Sequence, residues 1–150
     1  MANSDAKAVV KDFFETINAG RLNALEKCLS PDFVNHDPLP AEQAGRLGVP
    51  QALRKMKEAF PDFHIDLDQV IAEGDRVVVQ LRAKGTQRGE YLGQAPTNQP
   101  MTWAGIAIFR VKDGKLAERW ATVVPSGATQ PAGGPSITMM PDSESKKPVS

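Results

Sequence analysis

The side chains best suited to acid/base chemistry in this sequence are the consecutive Asn35, His36 and Asp37. A histidine has an ordinary pKa of about 6.5, so His36 could take up or release a proton at neutral pH. Asp37 could orient its imidazole, and Asn35 could donate a hydrogen bond to a carbonyl oxygen. The alternative is structural: His36 and Asp37 would brace the turn before Pro38 through bonds to the backbone.

A second histidine, His64, alternates with Asp66 and Asp68 on a predicted strand. This spacing can ligate a metal, but a closed metal site needs about four ligands and the sequence places no others nearby. We therefore predict a solvated strand face at His64 and no metal site there. The sequence also lacks a serine nucleophile elbow, a Walker loop and a Rossmann glycine motif. Its single cysteine, Cys28, excludes an internal disulfide framework.

The elements that must position these residues are helices followed by strands. Apolar side chains recur at the spacing of one helical face over residues 6–17, and a shorter helix is predicted over residues 22–29. A third helix begins near Pro50 and ends before Pro61. From residue 63 to residue 124 the pattern alternates, which predicts four antiparallel strands joined by hairpins.

Helices on one side of such a sheet form an α+β domain of two layers. A curled sheet would leave a cone-shaped space with an apolar lining, where small ligands bind. After residue 124 the composition changes to Pro, Gly, Ser and Thr without periodicity. We therefore predict one domain, residues 1–124, and a flexible tail, residues 125–150. The apolar residues of the tail, Ile137, Met139 and Met140, could dock on a partner or on the domain.

The composition excludes several classes of function. Eighteen basic residues balance eighteen acidic ones, so no basic surplus indicates a nucleic-acid partner. No apolar run approaches the roughly 20 residues needed to cross a bilayer. The first residues have neither the basic nor the apolar region of a signal peptide. We expect a cytoplasmic protein with no membrane partner.

Several stretches of the sequence resemble the SnoaL-like polyketide cyclase and ester cyclase family, in order and at the family's spacing, over roughly residues 5–124. They are Phe33-Val34-Asn35-His36-Asp37-Pro38, Phe60-Pro61-Asp62-Phe63, Glu73-Gly74-Asp75-Arg76-Val77, the stretch from Gly85 to Gly93 with Pro96-Thr97, Phe109-Arg110, Asp113-Gly114-Lys115 and Glu118-Arg119-Trp120. The resemblance implies an NTF2-like cone, with three N-terminal helices packed on a curved antiparallel sheet, and a homodimer. It also implies ring closure by aldol condensation without a metal or an organic cofactor.

The resemblance further implies which side chains face the pocket. In such members an acid commonly follows the last-strand tryptophan, with a polar partner on the neighbouring strand; Ala121 and Ala107 hold those positions here. If both alanines face the pocket, alternation turns Trp120 away from it and Arg119 towards it. Arg119 would then pair with a pocket acid, bind an anionic group of the ligand or reach out at the mouth. The predicted substrate-binding residues are Phe14, Met56, Phe60, Tyr91, Trp103, Ala107, Phe109, Arg119 and Ala121.

These observations favour an enzyme that cyclises or isomerises a polyketide-like or other apolar carbonyl compound by acid/base proton transfer. His36 would be the acid/base residue, assisted by Asn35 and Asp37. The alternative is a non-catalytic binding module that keeps the pocket but lacks the family's acid, as Ala107 and Ala121 indicate. A third hypothesis is a dimerising scaffold whose tail recruits a protein.

Overall fold

The computed structural model of the chain describes residues 2–38 and 42–126, with side chains from residue 5 onward. Its elements, in chain order, are helix α1 (Ala2–Asn18), a 3₁₀ helix (Leu22–Cys28), strand β1 (Leu29–Asn35), helix α2 (Gly48–Ala59) and strands β2 (His64–Glu73), β3 (Arg76–Thr86), β4 (Pro100–Lys112) and β5 (Lys115–Ser126). All three predicted helices are therefore present. Strand β5 includes the first two residues of the predicted tail, and Ile137, Met139 and Met140 lie outside the described residues.

Helix α1 forms because its apolar side chains lie on one face. Ala6, Val10, Phe13, Phe14 and Ile17 are all buried, as the i, i+3, i+4 spacing predicts. The helix ends two residues before Gly20, whose positive φ of 76° is the left-handed conformation typical of a helix terminus.

The sheet contains five strands in the order β1-β5-β4-β3-β2. The four long strands pair antiparallel, as predicted. Strand β1 adds a parallel edge: it pairs with β5, with Asn35 opposite Arg119. The sheet is therefore mixed, since α2 and three strands lie between β1 and its partner along the chain and leave room for a parallel crossover.

The other edge of the sheet, strand β2, is covered by the end of α1. The Asn18 side chain accepts a hydrogen bond from the Ile65 N–H at 2.9 Å and donates one to the Ile65 carbonyl at 2.8 Å. It thus takes the place of a neighbouring strand at this point. Covering an edge in this way protects the sheet from pairing with another chain.

The core lies between the helices and the inner face of the sheet. Phe13 and Phe14 of α1 each meet Phe109 of β4 edge to face, with ring centroids 5.9 Å apart. This geometry is favourable for aromatic pairs and fixes α1 over β4. Within the described part of the chain, no helix is both long enough and apolar enough to cross a membrane.

We predict that Asn18→Ala lowers the free energy of unfolding by about 1–3 kcal/mol, because it leaves the N–H and carbonyl of Ile65 without their partner. Urea unfolding measures the change. Asn23→Ala is the matched control, since Asn23 accepts only an exposed hydrogen bond from Arg54, and it should change stability by less than about 0.5 kcal/mol. Equal effects of the two variants would contradict the edge-covering role of Asn18.

Candidate functional site

The helices and the sheet enclose a cavity of about 490 Å³. Two small residues at the centre of its floor, Ala107 and Ala121, are directly paired across β4 and β5 and leave this space open. The floor continues on β3, and α1 and α2 form the opposite wall. A cavity of this size, with a mostly apolar lining, is typical of a site for a small organic molecule.

Aromatic and aliphatic side chains together form most of the cavity wall. Phe60 meets Trp103 edge to face at 5.1 Å and Tyr91 at 5.5 Å. Gly85 permits this arrangement, because a Cβ there would lie 2.9 Å from the Cβ of Phe60. The lining includes every residue predicted to bind substrate: Phe14, Met56, Phe60, Tyr91, Trp103, Ala107, Phe109, Arg119 and Ala121.

The polar end of the cavity is built where β1 lies beside β5. Arg119 donates from Nη1 to Oδ1 of Asn35 at 3.0 Å and to the carbonyl of Asp37 at 3.4 Å. The Asp37 carboxylate accepts the backbone N–H of Ala121 at 2.8 Å through Oδ2. Asn35 is 3% exposed, whereas Asp37 lies at the exposed mouth. Asn35 and Asp37 therefore reach the cavity, as does Arg119.

Glu42, in the loop before α2, completes this polar end, and sequence reasoning missed it. Its Oε2 accepts a hydrogen bond from Nδ2 of Asn35 at 3.1 Å. Burial lowers the pKa of Arg119 below its ordinary value, while the carboxylates of Glu42 and Asp37 raise it. Arg119 remains a cation at neutral pH. The charges of Glu42 and Asp37 thus act on the guanidinium of Arg119, while its hydrogen bonds go to the Asn35 side chain and the Asp37 carbonyl.

Tyr91 contributes a phenol to the lining of the cavity. Burial, and to a smaller extent the charge of Glu42, raise the pKa of its phenol above the ordinary value. The phenol therefore keeps its proton across the physiological range and can donate a hydrogen bond to a ligand oxygen.

Gln87, also missed from the sequence, holds the loop that carries Tyr91. It is 3% exposed, and its Nε2 lies 3.1, 3.2 and 3.1 Å from the carbonyl oxygens of Gly89, Gln94 and Ala95. Its Oε1 accepts a hydrogen bond from Thr97. One buried amide thus ties both sides of the loop together. Gln87 and Glu42 both lie outside the helices and strands of the structure, and no sequence pattern indicated their contacts.

The prediction that His36 acts in the pocket is wrong in its placement. Asn35 points inward on β1, so His36, the next residue, points to the opposite face of the sheet. There its ring stacks on Trp120, with centroids 4.8 Å apart and planes 7° apart. Its Nε2 lies 3.0 Å from the Glu118 carboxylate. Hydrogen bonds from Arg110 and then from His36 lower the pKa of Glu118.

Among residues 2–38 and 42–126, no three His, Cys, Asp or Glu side chains lie close enough together to hold a metal ion. His64 lies beside Asp66 at 3.3 Å with both side chains largely exposed, in the manner of a solvated strand face.

Comparisons with known proteins agree with this architecture. The family model described as SnoaL-like polyketide cyclase matches residues 8–124. No curated protein matches the chain significantly. Three solved structures from Streptomyces are similar to it. AclR of S. galilaeus, a proposed hydroxylase, is 26% identical with a TM-score of 0.72, and the match covers 81% of this chain and 90% of AclR.

TsrD of S. laurentii is also 26% identical, with a TM-score of 0.73, and the match covers 82% of this chain and 90% of TsrD. IdmH of S. antibioticus, a proposed polyketide cyclase, is 27% identical with a TM-score of 0.69, and the match covers 79% of this chain and 91% of IdmH. The family model spans most of the chain, and the fold and the cavity agree with it. The chain belongs to the SnoaL-like polyketide cyclase family, with the NTF2-like fold.

Proposed function

We propose that this chain is a cofactor-independent enzyme that moves a proton on a small, neutral, apolar carbonyl compound and thereby cyclises or isomerises it. The observation that carries this proposal is the contact between the Asp37 carboxylate and the Ala121 N–H. The family resemblance implies an acid after the last-strand tryptophan, and Ala121 holds that place. Asp37, just past the end of the neighbouring strand, brings a carboxylate to the backbone N–H of Ala121.

Asp37 is the general base in this proposal. Its Oδ2 is oriented by the Ala121 N–H, while its backbone is tied to Asn35 through the bond from the Asp37 N–H to Oδ1 of Asn35 at 3.1 Å. A carboxylate held in this way can take a proton from the carbon next to a carbonyl group, which leaves an enolate with its negative charge largely on oxygen. The phenol of Tyr91, which keeps its proton, would donate to that oxygen and stabilise its charge.

Asn35 and Arg119 act as positioning residues. Oδ1 of Asn35 is already engaged by Arg119 and by the Asp37 backbone, and its Nδ2 binds Glu42. The pair therefore fixes the end of β1 against β5 and holds Asp37 at the mouth. Because two carboxylates accompany one guanidinium, the polar end favours a neutral substrate over an anion. The aromatic wall suits flat rings, such as those of a polyketide-like compound.

A non-catalytic binding module is the second candidate. Ala107 and Ala121 favour it, since neither can transfer a proton and both lie at the centre of the cavity floor. Turnover of a panel of carbonyl substrates separates the two candidates. We also propose that the chain acts as a homodimer, which the family resemblance supports, and that it is cytoplasmic, for which a single cysteine is typical.

We predict that Asp37→Asn lowers turnover by about 100-fold or more while ligand binding in the cavity is retained, because the amide keeps the shape but cannot accept the proton. Steady-state kinetics on a substrate identified in the panel, with calorimetric binding of the product, measures both effects. Asp32→Asn is the matched control, since Asp32 is exposed on the same strand and does not line the cavity. Turnover that survives Asp37→Asn unchanged would remove Asp37 from the mechanism.

His36→Ala should leave turnover per folded chain within about threefold of the wild type, since His36 lies behind the sheet, stacked on Trp120. The same assay measures it, at a protein concentration where the oligomeric state of the two proteins is equal. A loss comparable to that of Asp37→Asn would return His36 to the site.

Gln87→Leu should free the loop that carries Tyr91, because leucine fills a similar volume but provides none of the hydrogen bonds. We expect amide hydrogen exchange over residues 88–98 to become at least tenfold faster and KM to rise, with α1 unaffected. Tyr91→Phe is the control that keeps the loop closed while removing the hydroxyl. Unchanged exchange in Gln87→Leu would show that Gln87 does not hold the loop.

A further inference from the structure

The loop between β3 and β4 contains a tight turn beside the cavity, residues 91–94, which we call the cavity turn. The backbone N–H of Tyr91 donates to the carbonyl of Gln94 at 3.0 Å, and the N–H of Gln94 donates to the carbonyl of Tyr91 at 3.0 Å. Between them, Leu92 and Gly93 have positive φ angles of 50° and 80°. Positive φ at both central residues is the geometry of a type I′ turn. Tyr91, Leu92 and Gln94 all line the cavity.

A second turn of the same chain shows which residue types this geometry prefers. The hairpin between β4 and β5 is closed by Asp113 and Gly114, with φ angles of 53° and 76°. Aspartate, asparagine and glycine are preferred at the first of these positions, because a larger side chain crowds its own backbone when φ is positive. Leu92 has nearly the same φ as Asp113 but a side chain that this conformation disfavours. The backbone at Leu92 is therefore strained.

The surroundings of the cavity turn hold it in this conformation. On one side, the N–H groups of Arg88 and Gly89 donate to the carbonyl of Ala59, at the end of α2, at 2.8 and 3.1 Å. On the other side, the N–H of Asn98 donates to the carbonyl of Gln87 at 2.9 Å. The buried amide of Gln87 binds carbonyl groups on both sides of the turn. A strained residue persists where its surroundings fix it, and such residues cluster at ligand sites.

The side chain of Leu92 lies at the mouth of the cavity. It is 58% exposed, although it belongs to the cavity lining. Among the described residues, the large apolar side chains that are at least 36% exposed include two that line the cavity, Leu92 and Val123. A side chain that lines a cavity and also reaches solvent marks its opening. Val123 follows two residues after Ala121, whose N–H binds the Asp37 carboxylate, so this opening lies on the side of the proposed base.

We propose that Leu92 is a substrate-contacting residue that covers the apolar ring of a ligand at the mouth of the cavity. An exposed leucine in a strained turn does little for the stability of the free protein, whereas contact with an apolar ligand removes its surface from water. Leu92 therefore selects for substrates that are apolar at this end. Tyr91 and Leu92 are adjacent, so one fixed turn presents a phenol and an apolar cover to the same ligand.

This inference rests on the proposed function for the class of ligand, since it assigns a further residue to the same site. It does not depend on Asp37 acting as a base. A neutral ring compound that the proposed reaction does not consume can therefore test Leu92 by binding alone. We choose 2-naphthol as this probe. Turnover of the panel of carbonyl substrates tests the reaction separately, so the two proposals can fail independently.

The experiment measures thermal stability by scanning calorimetry and binding of 2-naphthol by titration calorimetry, on the full chain. Leu92→Asn relieves the backbone strain and removes the apolar contact. We expect its Tm to rise by about 2–5 °C, because asparagine tolerates positive φ. We expect its Kd for 2-naphthol to rise at least about fivefold, because the apolar contact is lost.

Two further variants separate strain from ligand contact. Leu92→Ala keeps the strained backbone but loses the contact, so its Kd should rise as in Leu92→Asn while its Tm does not rise. Asp113→Leu is the matched control, because it places a leucine at the same position of the turn between β4 and β5. Its Tm should fall by about 2–5 °C, while its Kd stays within about twofold of the wild type.

Three results would overturn the proposal. A raised Tm of Leu92→Asn with an unchanged Kd would make Leu92 a strained turn residue without a ligand contact. A lowered Tm of Leu92→Asn would show that contacts within the protein hold Leu92 in place. Absence of saturable 2-naphthol binding by the wild type up to about 1 mM would remove the ligand that Leu92 is proposed to cover.

Discussion

The parallel pairing of β1 with β5 is the constraint on which the candidate site depends. It brings Asn35 opposite Arg119, although the two residues are 84 positions apart. Their hydrogen bond fixes the direction of the chain where β1 ends. The carboxylate of Asp37 therefore reaches the backbone N–H of Ala121. Without this edge strand the cavity would keep its aromatic wall but lose two of its polar groups. The chemistry of the site is thus a consequence of strand topology.

The two faces of the sheet carry different sets of side chains. The inner face combines small residues at its centre with aromatic residues around them, which leaves room for a ligand. The opposite face has Ile106, Ile108 and Trp120, on which His36 stacks. Because successive residues of a strand point to opposite faces, each strand contributes to both surfaces.

Much of the fold and of the apolar wall could be predicted from the sequence, because both follow from periodicity. Alternation along β4 and β5 indicated that Trp103, Phe109 and Arg119 share a face and that Trp120 does not. Along the short β1, Asn35 points inward and His36 outward, so the role predicted for His36 is one that we propose for Asp37. Glu42 and Gln87 act through long-range or loop contacts, which no local pattern reveals.

The most direct test of the central claim is a crystal structure of the chain soaked with a neutral aromatic enol analogue, such as a naphthol. Our account predicts the ring between Phe60 and the β4 wall, with its hydroxyl within hydrogen-bond distance of the Asp37 carboxylate or the Tyr91 phenol. A cavity filled by collapsed side chains, or a compound bound only outside the cavity, would contradict it.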